Sequence, residues 1–282
     1  MPIMTITSDW SRGDYYLPSL KGGLMSLYLA CKEQNKIPAT DFFNIVDISN
    51  TVKPFDISGA CFILRNSYRH YPDGSIHILA VESELHDGAD MVVVKADGHY
   101  FIAPDDGRFA LLLKMDGKEQ AYRLSGSHAE EGAPMGFTAL DLFKEGVRHI
   151  LEGSLEELDR VSLRSAVNEC AAVTSNRIVG RVVYIDSYGN AITNITRESF
   201  FKVVTSAMVN GAKDISCVIF VQGPYLKIEN ISEGYWDVEP GEELAFFNSL
   251  DQLELAINGG NFAQMEGIDT TAEVVMKFAF EK

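Results

Sequence analysis

The chain lacks the long apolar segments and the excess of basic residues that would indicate a membrane or a nucleic acid as its partner. Its longest apolar runs, such as residues 60–64 and 217–221, are far shorter than the ~20 residues that a membrane-spanning helix needs. The 282 residues carry 24 Lys and Arg against 40 Asp and Glu, a formal net charge of −16. Because this charge repels phosphate backbones and anionic lipids, we expect neither kind of partner.

Cysteine is scarce, and the common cofactor and metal motifs are missing. The 4 cysteines form no C-x-x-C pair, so free thiols are expected in a chain of this size. No glycine-rich dinucleotide loop, phosphate loop or G-x-S-x-G element occurs. The 6 histidines show neither H-x-x-x-H nor H-x-H spacing, and we expect no metal and no cofactor. Residues 1–10 lack the features of a signal peptide, which indicates a cytoplasmic protein.

Strand and helix patterns alternate in the first half, which predicts an α/β domain with a central sheet flanked by helices over residues 1–165. The apolar strand 43–48 is expected to be buried on both faces. Asp97-Gly98 predicts a hairpin, and Thr138 a helix N-cap. The adjacent carboxylates Asp105 and Asp106 are expected in a solvated turn rather than in an acid/base pair.

Short β-type runs separated by Gly and Asn dominate the second half. After a linker over residues 166–177, they predict an all-β, barrel-like domain over residues 178–282. Only one short helix, near residues 199–205, is indicated.

Acidic residues recur where predicted strands give way to loops, at Asp9, Asp56 and Glu82. Ligands of open α/β sheets bind at the carboxyl ends of strands. Asp9 is equally compatible with a ligand contact and with capping of the next helix. Asp56 can cap the helix that follows it, and Phe55 is more typical of a hydrophobic staple than of a ligand wall.

In the second half, the stretch Y-I-D-S-Y-G-N-A-I-T-N-I (residues 184–195) reads as strand, tight turn and strand, and it carries Asp186 and Asn190 to one end of a sheet. Two interpretations stay open. The side chains can bond their own turn, or they can bind a ligand from a loop held by rigid strands.

Six segments, taken in order, resemble the S-adenosylmethionine hydroxide adenosyltransferase family, which also includes fluorinating and chlorinating enzymes. They are T-S-D-W with D-Y-Y-L-P-S-L-K-G (7–22), I-V-D-I-S-N-T-V-K-P-F-D (45–56), Y-P-D-G-S-I-H-I (71–78), I-A-P-D-D-G (102–107), I-D-S-Y-G-N-A-I-T-N-I (185–195) and F-N-S-L-D-Q-L-E-L-A (247–256). The resemblance implies an N-terminal α/β domain, a C-terminal β-barrel and a homotrimer with the ligand between domains of neighbouring subunits.

The resemblance also implies which residues bind the ligand. Asp9 and Phe55 would contact the ribose, Asp186 and Ser249 the amino and carboxylate groups of methionine, and Asn190, Tyr235 (by stacking) and the backbone of Asn258 and Gly259 the adenine.

The set that activates water in hydrolysing members, Asp–Arg–His, is altered here. Glu82 stands at the Asp position, Ala89 falls near the Arg position, and Thr138 stands at the His position. We predict Glu82 and Thr138 as the catalytic residues, with His86 or His128 as side chains that could swing in.

Two residues typical of halogenating members, a halide-holding Ser and an Arg elsewhere in the chain, are also altered. Ala139 replaces their Ser, and Leu250 replaces an Arg. Halogenase activity is therefore not expected.

Two functions follow from the resemblance. The first is hydrolysis of S-adenosylmethionine to adenosine and methionine by attack of water at C5′, a reaction whose neutral thioether leaving group needs no general acid. The alternative is a catalytically degenerate protein that binds adenosine or S-adenosylmethionine. A weaker third interpretation is another α/β enzyme whose substrate resembles a nucleoside.

Overall fold

The computed structural model describes residues 3–11, 13–37, 43–85, 89–124, 137–165 and 170–281. Contacts between residues divide the chain into an N-terminal unit, Met1–Asn168, and a C-terminal unit, Glu169–Lys282. The domain bounds inferred from the sequence stay predictions. No described helix combines the length and the apolar character needed to cross a membrane.

The N-terminal unit is a mixed sheet with helices, as predicted. Its elements are β1 (Ile3–Ser8), α1 (Tyr16–Glu33), β2 (Asn44–Ser49), α2 (Ile57–Arg65), β3 (Ile76–Ala80), β4 (Met91–Ala96), β5 (His99–Pro104), α3 (Arg108–Leu112), β6 (Gln120–Arg123), α4 (Ala139–Glu152) and β7 (Arg160–Val161). The strand order is β2-β1-β3-β5-β4-β6-β7. Strands β2, β1, β3 and β5 are mutually parallel, whereas β4, β6 and β7 pair antiparallel.

Alternate side chains of the strands pack into two apolar layers, one on each face of this sheet. In β3, Ile76 and Ile78 join one buried cluster with residues of α1 and α4, while Leu79 joins a second cluster with residues of α2 and α3. Helix α2 has its predicted N-cap, because the Asp56 carboxylate accepts a hydrogen bond from the Gly59 N–H at 2.9 Å.

Strand β2 is not buried on both faces, contrary to the prediction for residues 43–48. It lies at the edge of the sheet, pairs with β1 alone, and none of its residues is fully buried. The apolar pattern was wrong as a guide to two-sided burial because it does not encode the position of a strand in the sheet. The exposed carboxylate of Asp47 instead forms an ion pair with Lys21 at 2.6 Å.

The C-terminal unit is an antiparallel sheet that nearly closes into a barrel, as predicted. Its elements are β8 (Ala172–Val173), β9 (Arg177–Ile185), β10 (Ala191–Thr196), α5 (Arg197–Val209), β11 (Asp214–Val221), β12 (Leu226–Ile228), β13 (Glu243–Phe247), β14 (Gln252–Ile257), α6 (Phe262–Glu266) and β15 (Glu273–Glu281). The order is β12-β11-β15-β9-β10-β14-β13, with β8 beside β9. A bridge between Ile231 and Ala245 connects the two ends of this order. Helix α6 was not predicted.

Candidate functional site

The parallel strands of the N-terminal sheet end at one edge, and a cavity lies there. Asp9 follows β1, Phe55 lies in the loop after β2, and Glu82 follows β3. All three line a cavity of about 710 Å³, a volume within the ~300–1,000 Å³ typical of small-molecule sites. Thr138, at the start of α4, also lines it. The structure thus brings both predicted catalytic residues together with both residues predicted to contact the ribose.

The lining of this strand-end cavity is acidic and aromatic. Its carboxylates are Asp9, Asp14, Glu82 and Glu84, and its aromatic side chains are Trp10, Tyr16, Phe55 and Phe137. Among the described residues that line it, there is no Lys, Arg or His. Carboxylates and aromatic faces both attract cations, so the cavity suits a ligand that carries positive charge.

The Asp9 carboxylate connects two loops rather than capping a helix. Its Oδ2 accepts hydrogen bonds from the N–H of Phe55 at 3.1 Å and of Glu82 at 3.4 Å. Helix α1 starts at Tyr16, with Tyr15 as its N-cap residue. The helix-capping interpretation of Asp9 was therefore wrong.

Phe55 is not a hydrophobic staple. Its side chain is 72% exposed, and its φ of 65° is a left-handed conformation that bulky residues rarely adopt. The staple interpretation was wrong because the Phe55 ring is exposed and lines the cavity instead of packing against the helix.

Three non-glycine residues around this cavity have left-handed backbone conformations. They are Phe55 (φ 65°), Glu82 (φ 44°) and Phe137 (φ 54°). Each such conformation costs of the order of 1–3 kcal/mol and persists only when surrounding contacts hold it. Strain of this kind concentrates at functional sites.

A buried arginine holds the loop after β3 through hydrogen bonds to the backbone of that loop. Arg108 donates to the carbonyl of Val81 at 2.8 Å and of Glu82 at 3.3 Å. Its guanidinium also binds Asp106 through two hydrogen bonds of 2.9 and 2.7 Å. Although burial raises the pKa of Asp106, the hydrogen bonds and charge of Arg108 bring it below its ordinary value.

The turn with two adjacent carboxylates is therefore only partly solvated, because the Asp106 side chain is 30% exposed whereas Asp105 is buried. Asp105 is only 5% exposed, and its carboxylate accepts the Arg164 N–H at 3.1 Å. Burial raises the pKa of Asp105. The prediction of a solvated turn was wrong for Asp105, because turn composition does not show that the backbone N–H of Arg164 bonds its carboxylate.

Thr138 occupies the predicted N-cap position of α4, but its side chain does not cap the helix. Its hydroxyl donates instead to Glu84 Oε2 at 2.7 Å. Glu84 was not predicted as a site residue. His86 and His128 lie outside the described residues.

An aromatic cluster forms one wall of the cavity. The ring of Phe137 meets the rings of Trp10 and Tyr16 edge-on, with centroids 5.1 and 5.0 Å apart. The sequence offered one signal for it, the density of aromatic residues in W-S-R-G-D-Y-Y (10–16), which ends at the first residue of α1.

A separate pocket of about 650 Å³ lies in the C-terminal unit, and Asn190, Tyr235 and Gly259 line it. Asp186 bonds its own turn, because its Oδ1 accepts the N–H of Tyr188 and of Asn190, both at 2.9 Å. The Asn190 side chain donates to Asp186 Oδ2 at 3.1 Å and to the Tyr235 hydroxyl at 2.8 Å. Local capping thus describes Asp186, whereas Asn190 reaches beyond its turn.

A buried glutamate that was not predicted extends this network. Glu254 accepts hydrogen bonds from the Tyr235 hydroxyl at 3.3 Å and from the Asn248 side chain at 2.9 Å. Burial raises the pKa of Glu254, and burial and the Glu254 charge raise the pKa of Tyr235 to about 12. Tyr235 therefore keeps its hydroxyl proton at neutral pH.

Three predicted ligand contacts, Asp186, Ser249 and Asn258, are not among the residues that line the pocket. Ser249 lies in an exposed turn beside Asn248. The side chain of Asn258 donates to the carbonyls of Tyr235 and Val238 at 3.1 and 2.9 Å. Its backbone N–H donates to the Glu242 carbonyl at 2.9 Å. These roles stay predictions.

No group of three or more His, Cys, Asp or Glu side chains among the described residues is arranged to hold a metal ion.

An α/β unit with a ligand-sized cavity at its strand ends, followed by a barrel-like antiparallel unit, defines a two-domain small-molecule-binding protein. The family model "SAM hydroxide adenosyltransferase N-terminal domain" matches residues 4–159, and its C-terminal counterpart matches residues 180–275. The chain therefore belongs to the S-adenosylmethionine hydroxide adenosyltransferase family.

One curated relative and two solved structures are similar to this chain over most of its length. The chain is 23% identical over 274 residues to the (R)-S-adenosyl-L-methionine hydrolase of Methanocaldococcus jannaschii, covering 90% of this chain and 96% of the relative. An uncharacterized conserved protein of Thermotoga maritima has the same fold, with a TM-score of 0.76, 21% identity and coverage of 98% and 99% of the two chains. A conserved hypothetical protein of Thermus thermophilus has a TM-score of 0.71 and 20% identity, with coverage of 99% and 100%.

Proposed function

We propose that this protein binds S-adenosylmethionine and hydrolyses it to adenosine and methionine. The observation that carries the proposal is the strand-end cavity, whose described lining has four carboxylates and no basic side chain. The sulfonium of S-adenosylmethionine is a cation, so such a lining favours it. The name of the Methanocaldococcus jannaschii relative supports the same reaction.

The chemistry asks little of the protein beyond alignment and electrostatics. Methionine leaves as a neutral thioether, so no general acid is needed. Water must lie in line with the C5′–S bond, at about 3–3.5 Å from C5′. As the bond forms, positive charge moves from sulfur to the water oxygen, and carboxylates fixed around that position stabilise the transition state. The proposal includes no cofactor.

We assign the ribose to the strand-end cavity. Asp9 uses Oδ2 to hold two backbone N–H groups, and its other oxygen would accept the ribose hydroxyls. Phe55, exposed along the cavity, would cover the ribose. Glu82 and Thr138 would contact the attacking water.

We assign the adenine to the C-terminal pocket. Asn190 and Tyr235 already form a fixed hydrogen-bonded pair there, which would present the amide and the ring to the base. Gly259 and Asn258 would contribute backbone groups, the Asn258 carbonyl accepting a second hydrogen bond beside that from the Gly241 N–H. Asp186 and Ser249 would bind the methionine amino and carboxylate groups.

We further propose a homotrimer with ligand sites at its subunit contacts. Aromatic side chains such as Tyr188 (77% exposed) and Trp236 (79% exposed) support burial against another chain. Light scattering would give about 94 kDa for three chains of 31.2 kDa, and a mass of one chain at micromolar concentration would refute the trimer.

The reaction is tested by incubating the protein with S-adenosylmethionine and separating adenosine and methionine by chromatography. Asp9→Asn should raise KM roughly 10-fold or more, because hydrogen bonds to charged groups contribute about 1.5–3 kcal/mol. Asp116→Asn, at a surface ion pair with Lys118, is the matched control. Tight binding without turnover would refute hydrolysis and leave a binding protein, and absence of binding would refute both.

A further inference from the structure

The Thr138 side chain does not accept the hydrogen bond that a threonine at a helix N-cap usually accepts. An N-cap residue normally has an extended backbone, so that its side chain can accept a hydrogen bond from the first turn, a contact worth about 1 kcal/mol. Thr138 has φ −66° and ψ −27°, a helical backbone, and makes no side-chain capping bond. Its hydroxyl points instead to Glu84 Oε2 at 2.7 Å, and both residues line the strand-end cavity.

The bond to Glu84 determines how Thr138 can interact with water. A threonine hydroxyl has one proton and two acceptor lone pairs. Since Thr138 donates its proton to the Glu84 carboxylate, a water molecule that contacts Oγ1 must donate to it. The lone pairs of that water then face away from Thr138 into the cavity, which is the orientation that a nucleophile needs.

The charge of the cavity makes a proton acceptor necessary. With four carboxylates and no basic side chain in the described lining, the electrostatic potential disfavours a free hydroxide ion. The nucleophile is therefore neutral water, which must lose a proton as the C–O bond forms.

The carboxylates differ in how far their oxygens are already used. Oδ2 of Asp9 holds the two backbone N–H groups of Phe55 and Glu82. Oδ2 of Asp14 holds the N–H and the hydroxyl of Ser11 at 3.2 and 2.8 Å. Glu84 accepts a hydrogen bond from the Thr138 hydroxyl of the cavity, and its exposed position allows it to return a proton to solvent.

Resting on the proposed hydrolysis, we propose that Thr138 and Glu84 form a two-residue proton relay for the attacking water. The water oxygen bonds to C5′ while the C5′–S electron pair moves to sulfur, and methionine leaves. The water proton passes to Thr138 Oγ1 as the threonine proton passes to Glu84, which then releases it to solvent. Thr138 touches the reacting water, and Glu84 acts through Thr138 as a positioning residue.

The test compares Thr138→Ala, Thr138→Ser and Glu84→Gln in single-turnover hydrolysis and in S-adenosylmethionine binding by calorimetry. Thr138→Ala and Glu84→Gln should lower the rate roughly 100-fold, the range of general-base effects, and change Kd less than about threefold. Thr138→Ser should keep most of the rate because it keeps the hydroxyl. Glu33→Gln, on the exposed end of α1, is the control.

Two further measurements separate a relay from a structural role. The double variant Thr138→Ala/Glu84→Gln should be no slower than the slower single variant, because both changes interrupt one path. The relay also predicts that kcat of the wild type falls at low pH and that Glu84→Gln removes this fall. The other titratable groups of the described cavity lining are Asp9, Asp14, Tyr16 and Glu82, so the profile is compared with that of Glu82→Gln.

The outcomes distinguish this inference from the proposed function. Wild-type protein without turnover would refute hydrolysis and the relay together. Wild-type turnover with an unimpaired Glu84→Gln variant, or rate losses that multiply in the double variant, would refute the relay alone.

Discussion

Replacing Asp106 by asparagine tests how Arg108 holds the loop after β3, which carries Glu82 of the strand-end cavity. The Arg108 side chain is 1% exposed and the Asp106 side chain 30% exposed. Asparagine keeps the shape of the aspartate but removes its charge. Its NH2 group would also face a guanidinium N–H, so one of the two hydrogen bonds to Arg108 becomes a contact between donors.

The magnitude follows from the uncompensated charge. Removing one partner of a buried ion pair costs about 3–5 kcal/mol. Because Asp106 is partly exposed, water can reach the site, and we expect about 2–4 kcal/mol. Arg108→Met removes the charge but leaves the carbonyls of Val81 and Glu82 without this donor, at about 1–3 kcal/mol for each unsatisfied group. The double variant should therefore lose less than the sum of the single losses.

Tryptophan fluorescence can isolate the unit concerned. The chain has 2 tryptophans, Trp10 in the N-terminal unit and Trp236 in the C-terminal unit, where it is 79% exposed. In a Trp236→Phe background, urea unfolding at pH 7 reports on Trp10, and Asp106→Asn should lower the midpoint without changing the slope m.

The control is Asp116→Asn, which breaks an exposed ion pair and should leave the midpoint unchanged. An Asp106→Asn midpoint equal to that of the parent, or single-variant losses that add fully in the double variant, would refute the buried-pair reasoning.

Two further predictions concern a buried histidine and a glycine with a left-handed backbone. Burial and the neighbouring His99 lower the pKa of His77 to about 3. Below pH 6.5 the unfolded chain therefore binds a proton at this histidine that the folded chain does not bind. The free energy of unfolding should fall by about 2 kcal/mol at pH 5. Urea unfolding at pH 5 and 7 should show this loss reduced in His77→Asn but not in the exposed-site control His70→Asn; equal losses would contradict it. Gly189 (φ 87°) and Gly211 (φ 92°) are both left-handed, but an added Cβ meets the Asn261 side chain only at Gly189. Gly189→Ala should therefore lower the melting temperature more than Gly211→Ala, since the backbone strain of about 1–2 kcal/mol is common to both, and equal shifts would refute the steric term.

Features that depend on neighbouring residues in the chain could be predicted from the sequence. The Asp97-Gly98 turn connects β4 and β5 as an antiparallel hairpin, because the turn residues themselves permit the left-handed conformation. Asp56 caps α2 because the cap and its donor group are three residues apart. The β-rich second half likewise followed from short strands with Gly and Asn between them.

Features that depend on chain segments far apart could not. Glu84 and Thr138 are 54 positions apart, and no local pattern indicates that they share a hydrogen bond. Arg108 is buried and bonds the loop after β3, although a charged residue after a turn is ordinarily solvated. The helix-cap signal at Thr138 correctly indicated where α4 begins, but it could not show that the hydroxyl has another partner.

The left-handed residues explain why these long-range contacts matter for function. Phe55, Glu82 and Phe137 are neither Gly nor Asn, so their conformations must be held by contacts rather than by intrinsic preference. Asp9 holds the N–H of the first two, and Arg108 holds the carbonyl of Glu82. The folded chain thus bears the strain before a ligand arrives, and the binding free energy of a ligand that meets these loops is not reduced by the cost of ordering them. Substituting Asp9 would therefore weaken binding twice, through the lost oxygen and through two loops released at once.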